Sequence, residues 1–121
     1  KQKKSQRSIL QEINSIIDWE KIDKLIKRHY NKGVSAVGRP SYSGLLLFKI
    51  TLLQTWYNLS DYEVEDQVND RISFSKFLGL SLEDNCPDHS VISRFRTEMT
   101  KRKVYKSVVN TLNNIHKRLN K

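Results

Sequence analysis

The sequence predicts an all-α fold, a single helical domain of about six helices over residues 1–121. Three observations carry this. Apolar residues recur at helical spacing along most of the chain. Asp18, Ser60 and Asp88 stand where N-caps are needed, and Gly79 stands where a helix must stop. No two segments alternate with period two, so no strand pair is expected.

Ile9, Leu10, Ile13, Ile16 and Ile17 mark a first helix over 7–16. Asp18 caps a second over 19–29, with Ile22, Leu25 and Ile26 on one side. Ile17 and Ile22 hold the hydrophobic-staple positions around that cap. Residues 30–42 read as a loop, broken by Gly33, Gly38 and Pro40. A third helix, 43–57, is apolar on nearly every side, which predicts burial all round. Ser60 and Glu63 form a capping box for a helix reaching 69, with Leu59 and Val64 as its staple. Phe74, Phe77 and Leu78 suggest a short helix over 73–78, stopped by Gly79. After an irregular stretch, Asp88 caps a helix reaching 100. The last helix, 102–118, carries a stripe of Val104, Tyr105, Val108, Val109, Leu112, Ile115 and Leu119.

The formal net charge is +9, which attracts polyanions at long range. Nucleic acid is the first candidate; an anionic membrane surface and an acidic protein are rivals. The charge is not uniform. Residues 59–86 hold two basic and seven acidic groups, whereas residues 87–121 hold nine basic and two acidic. One side of the molecule could therefore face phosphates while another is kept away from them. The apolar run from Leu45 breaks at Lys49, too short to span a bilayer, so no membrane partner is expected. The lone Cys86 excludes an internal disulfide and fits a reducing cytoplasm.

Residues 60–100 contain three helices joined by short turns, the middle one brief. This is the arrangement of a trihelical helix-turn-helix, with a core over 58–101 and a reader helix at its end. At about 100° per residue, Val91, Ile92, Phe95 and Met99 cluster on one side of that helix. Ser90, Ser93, Thr97 and Lys101 fall opposite, flanked by His89, Arg94 and Arg96. Short hydroxyls let a helix approach base edges, and arginine can grip guanine or phosphate. The alternative is that these groups only solvate an exposed surface. Arg39, between Gly38 and Pro40, could enter a minor groove or simply sit in a turn.

Other constellations are weaker. Cys86 and His89 have metal-like spacing but no second pair to complete four ligands. Asp61, Glu63, Glu65, Asp66 and Asp70 read as a capped, solvated surface that repels phosphate. Trp19, Trp56 and Tyr57 read as core side chains.

Four motifs then resemble a known family. Trp56-Tyr57-Asn58-Leu59-Ser60-Asp61 with Glu63, Glu65 and Asp66 resembles the WYGLSD signature of bacterial DDE transposases of the insertion-sequence-five group. Ser73–Leu80 resembles the family's SxRxFLGL stretch, and Pro87–Arg96 its PDxSTLxRFR motif. Gly38-Arg39-Pro40 matches the GRP ahead of the apolar helix, and Asp18-Trp19 with Ile22 its opening. Asn58 replaces the usual Gly, and Val91 the usual Thr. The likeness runs over about residues 17–116.

The resemblance implies an N-terminal domain that binds double-stranded DNA at the element's terminal inverted repeats. It implies that catalysis, with its Asp-Asp-Glu triad and two Mg²⁺ ions, belongs to a separate RNase H-like domain not in this chain, so no cofactor is expected here. The expected DNA contacts are Arg39, His89, Ser90, Ser93, Arg94, Arg96, Thr97 and Lys101, with Lys101, Arg102, Lys103 and Lys106 on phosphates. A cytoplasmic, nucleoid-associated protein follows, acting as a homo-oligomer. A stand-alone DNA-binding regulator, a transposase remnant, and a helical dimerisation module using the 102–119 stripe remain alternatives.

Overall fold

The computed structural model describes residues 6–30, 42–81 and 83–121, and these form seven helices and no strand. They are α1 (Gln6–Ile16), α2 (Trp19–His29), α3 (Gly44–Tyr57), α4 (Asp61–Asp70), α5 (Ile72–Leu78), α6 (His89–Met99) and α7 (Lys103–Leu119). Local chemistry sets most boundaries. Ser43 accepts from the Leu46 N–H at the start of α3. At α4 the capping box is complete: Ser60 Oγ accepts from the Glu63 N–H at 3.1 Å, and Glu63 Oε1 accepts from the Ser60 N–H at 2.9 Å. Asp18 precedes α2 but makes no side-chain cap, so sequence position alone overstated its role.

α3 lies at the centre and packs against α2, α4, α5, α6 and α7. Its apolar circumference explains this, because each side needs a neighbour. Leu47, Phe48, Ile50, Leu52 and Leu53 are fully buried, each worth roughly 1.5–3 kcal/mol. The close approach of α2 requires Gly44: a Cβ there would stand 2.6 Å from Ile26 Cγ2. α3 ends at Asn58, which adopts the left-handed conformation (φ 54°). Glycine or asparagine suits that position, which accounts for asparagine where the motif usually has glycine.

The apolar stripe of α7 faces this core. Tyr105 and Leu112 are buried, and Val108, Val109, Ile115 and Leu119 pack half-buried against it. Of its two readings, core side or subunit contact, the geometry is that of the core. Trp19, Trp56 and Tyr57 also pack against the core, as expected. Trp56 donates from Nε1 to Asn113 Oδ1 at 2.8 Å and stacks on the buried His116 ring, 4.5 Å between centroids.

One buried cation lies under this architecture. Lys49, 8% exposed, donates from Nζ to the Phe77 carbonyl oxygen (2.7 Å) and to Asn14 Oδ1 (3.1 Å). The ammonium also lies 4.3 Å from the Trp19 ring centroid. It thereby ties the last turn of α5 to α1 and α3. Burial lowers its pKa to about 8.

Candidate nucleic-acid interface

α6 begins on a strong cap. The Asp88 carboxylate accepts from the backbone N–H groups of Ser90 (2.9 Å) and Val91 (3.1 Å) and from the Ser90 hydroxyl (2.6 Å). These bonds, the hydroxyl's first, hold the Asp88 carboxyl below its usual range. One side of the helix is core: Ile92, Phe95 and Met99 are buried and Val91 is half-buried. The Phe95 ring meets Tyr30 edge-on at 4.9 Å. The opposite side is open to solvent, with Ser90, Arg94, Thr97 and Lys101 exposed and Ser93 half-buried.

The two edges of that open side differ. His89 and Arg96 form one edge, and both are fastened to α4. Arg96 makes a two-pronged pair with Asp61, its Nη2 donating to Oδ2 at 3.0 Å and its Nη1 to Oδ1. Gln54 closes the triangle: it accepts from Arg96 Nη1 at 3.3 Å and donates to Asp61 Oδ1 at 2.8 Å. The hydrogen bond from Arg96 lowers the Asp61 pKa, and the same bond raises that of Arg96. One turn on, Glu65 Oε1 accepts from the His89 N–H at 3.0 Å and lies 3.3 Å from its Nδ1. A further turn on, Asn69 Oδ1 accepts from the Cys86 N–H at 3.3 Å.

Asp61, Glu65 and Asn69 thus form an i, i+4, i+8 row on α4 that clasps the segment 86–96. The expectation of a wholly solvated carboxylate surface needs correction here. Asp61 and Glu65 hold α6, Glu63 closes the capping box, and Asp66 and Asp70 are exposed. The spacing was visible in the sequence, but its partners were not.

Asp61→Asn is expected to lower stability by about 1–2 kcal/mol, between an exposed pair and a buried one. The thermal midpoint should drop by several degrees. Because the Asp61 pKa is depressed, acid has the same effect as pH falls through its folded value. A variant melting like the wild type at pH 7 would mean that the clasp contributes nothing.

Arg94 and Glu98 form the other edge. Arg94 Nε lies 3.4 Å from the Ser90 carbonyl oxygen, and among the described residues no carboxylate pairs with its guanidinium. Past the end of α6, the Arg102 N–H bonds the Met99 carbonyl oxygen at 2.9 Å and turns the chain into α7. Lys101, Lys103 and Lys106 are exposed around this turn. Arg102 is half-buried, with Nη2 3.8 Å from Glu98. From Thr100 to Lys121 there are seven Lys and Arg residues and no Asp or Glu. The open side of α6 therefore continues into the exposed cations Lys101, Lys103 and Lys106 around the turn into α7.

The links between helices follow the expected boundaries, but only the first is a short turn. α4 and α5 meet at the single residue Arg71, but residues 79–88 separate α5 from α6. This second link is no short turn. It starts at Gly79, in the left-handed conformation (φ 79°), and is anchored by buried Cys86 and Pro87. The Cys86 thiol is pushed up to about 12 by burial and then by Glu65. No metal-binding group of three or more His, Cys, Asp or Glu residues occurs among the described residues. No described helix is long and apolar enough to cross a membrane. Arg39, with its neighbours Gly38 and Pro40, lies outside the described residues.

The molecule is an all-α domain that presents one capped helix with a hydroxyl-and-cation exterior. Residues 1–98 match the family described as transposase domain (DUF772), and the chain belongs to that family. Membership ties it to DNA transposition. No solved structure matches the chain.

Proposed function

We propose that this chain binds double-stranded DNA through the open side of α6, as the recognition domain of a transposase of the insertion-sequence-five group. Its targets are the terminal inverted repeats of the element. α4, α5 and α6 serve as the three helices of a helix-turn-helix with an extended second link, α6 entering the major groove. Ser90, Ser93, Arg94 and Thr97 read base edges, and Lys101, Lys103 and Lys106 hold phosphates. His89, Arg96 and Arg102 border the same surface, with part of their bonding capacity already directed to Glu65, Asp61 and Glu98. Arg39 joins them from the segment before α3. Catalysis falls to an Asp-Asp-Glu domain outside these residues, with its Mg²⁺ ions, and assembly into multimers accompanies synapsis of two ends.

One observation carries this reading. α6 buries Ile92, Phe95 and Met99, and the opposite side presents Ser90, Ser93, Arg94, Thr97 and Lys101, with its one carboxylate, Glu98, at the edge. Family membership supplies the biological setting.

The test is duplex binding over a salt series, using random-sequence duplex and duplex selected from a random pool. A steep loss of affinity with salt is expected, with a slope near −0.9 per phosphate contacted, together with preference for the selected sequence. Chelating Mg²⁺ should leave binding intact. Absence of duplex binding at low salt would sink the proposal.

A further inference from the structure

Among the exposed large apolar side chains Tyr62 stands out, at 67% exposure, on the first turn of α4. Its ring is not loose. It stacks on the His89 ring with centroids 3.9 Å apart and planes 23° from parallel. His89 is in turn held by Glu65 through both its backbone N–H and Nδ1. One face of the tyrosine is therefore covered, while most of the side chain is in water. The stack extends the α4 edge of the open side of α6, next to Ser93, which follows His89 by one turn.

This placement matters in two ways. An aromatic ring held by a stack has already lost much of its rotamer freedom, so a new contact orders little more. The acidic neighbours are also largely answered. Asp61 pairs with Arg96, Glu65 faces His89, and Glu63 bonds the Ser60 N–H. Asp66, one turn further on, remains exposed.

We infer that Tyr62 is a DNA-backbone contact carried by α4, its ring packed on a deoxyribose and its hydroxyl donating to a phosphate oxygen beside the α6 surface. The inference rests on the DNA reading of α6. Tyrosine is among the neutral donors that contact phosphates, and such contacts set the register of a reader helix without reading sequence. Asp66 marks the limit of the footprint on α4, because a phosphate there would meet an unpaired carboxylate.

A neutral donor makes a distinctive signature. It releases no counterion, so its loss weakens binding without changing the salt slope. Tyr62→Phe and Tyr62→Ala are measured on random and selected duplexes across the salt series, with Arg94→Ala alongside and circular dichroism to monitor folding. Tyr62→Phe should lose roughly three- to ten-fold on every duplex, the worth of one hydrogen bond. Tyr62→Ala should lose more, at the same salt slope as the wild type. Wild-type affinity in both variants, a loss confined to the selected duplex, or a flatter salt slope would each overturn the inference. If Arg94→Ala is weakened while both Tyr62 variants are not, only the Tyr62 inference fails. If the wild type binds no duplex, the reading of α6 fails with it.

Discussion

Replacing Arg94 by alanine is expected to weaken binding to the preferred duplex by about 1–3 kcal/mol and to narrow its advantage over random duplex. The reason is placement. Arg94 leaves the exposed side of α6, and among the described residues its guanidinium makes one weak hydrogen bond, 3.4 Å from Nε to the Ser90 carbonyl oxygen. The four N–H donors of its two Nη atoms are therefore available to a guanine edge. Arg96, two residues on, has the same chemistry but opposes Asp61 and Gln54. Arg96→Ala should accordingly lower the melting temperature more than it lowers affinity. Titration of both variants on preferred and random duplex, with their thermal melts, separates the roles. An equal loss on every duplex would make Arg94 a phosphate contact and leave base reading to Ser90, Ser93 and Thr97.

Lys49→Met should change how stability responds to alkali. The Lys49 pKa is lowered to about 8 by burial, against an unfolded lysine near 10.4. A base with a depressed folded pKa penalises the fold while it is charged. That penalty is fully present below about pH 8 and disappears as pH rises through the unfolded value. Its size is about 3 kcal/mol at one decade per 1.36 kcal/mol. Between pH 7.5 and 10 the wild type should therefore gain about 2–3 kcal/mol relative to Lys49→Met. Comparing the two proteins cancels the other titrating groups. At neutral pH the variant sheds the buried charge but also loses the bonds to Phe77 and Asn14, which offset much of the gain. Urea unfolding of both proteins at the two pH values measures this. Parallel pH profiles would show that Lys49 keeps an ordinary pKa.

Much of the fold was legible along the chain. α2, α3 and α6 start and stop within a residue of the positions read from periodicity and caps, because those signals are local. The capping box at Ser60 and Glu63 formed as written, since both partners lie within one turn. The inward side of α6 followed from the spacing of Ile92, Phe95 and Met99 alone. The irregular stretch between α5 and α6 was also legible, but nothing nearby in the sequence shows that Cys86 and Pro87 are buried while their neighbours are exposed. Lys49 looked like a break in an apolar run, and its burial depends on α1 and α5 arriving from elsewhere.

The sequence by itself determined the helices, their caps and the apolar side each turns inward, since neighbours three or four residues apart decide those. Only the tertiary structure decided which polar groups remain available. Asp61 and Arg96 are 35 positions apart, and Glu65 and His89 are 24. Whether such residues pair depends on how α4 lies against α6, which no local pattern encodes. That packing directs Arg96 and His89 toward α4 and leaves Arg94 and Lys101 facing water.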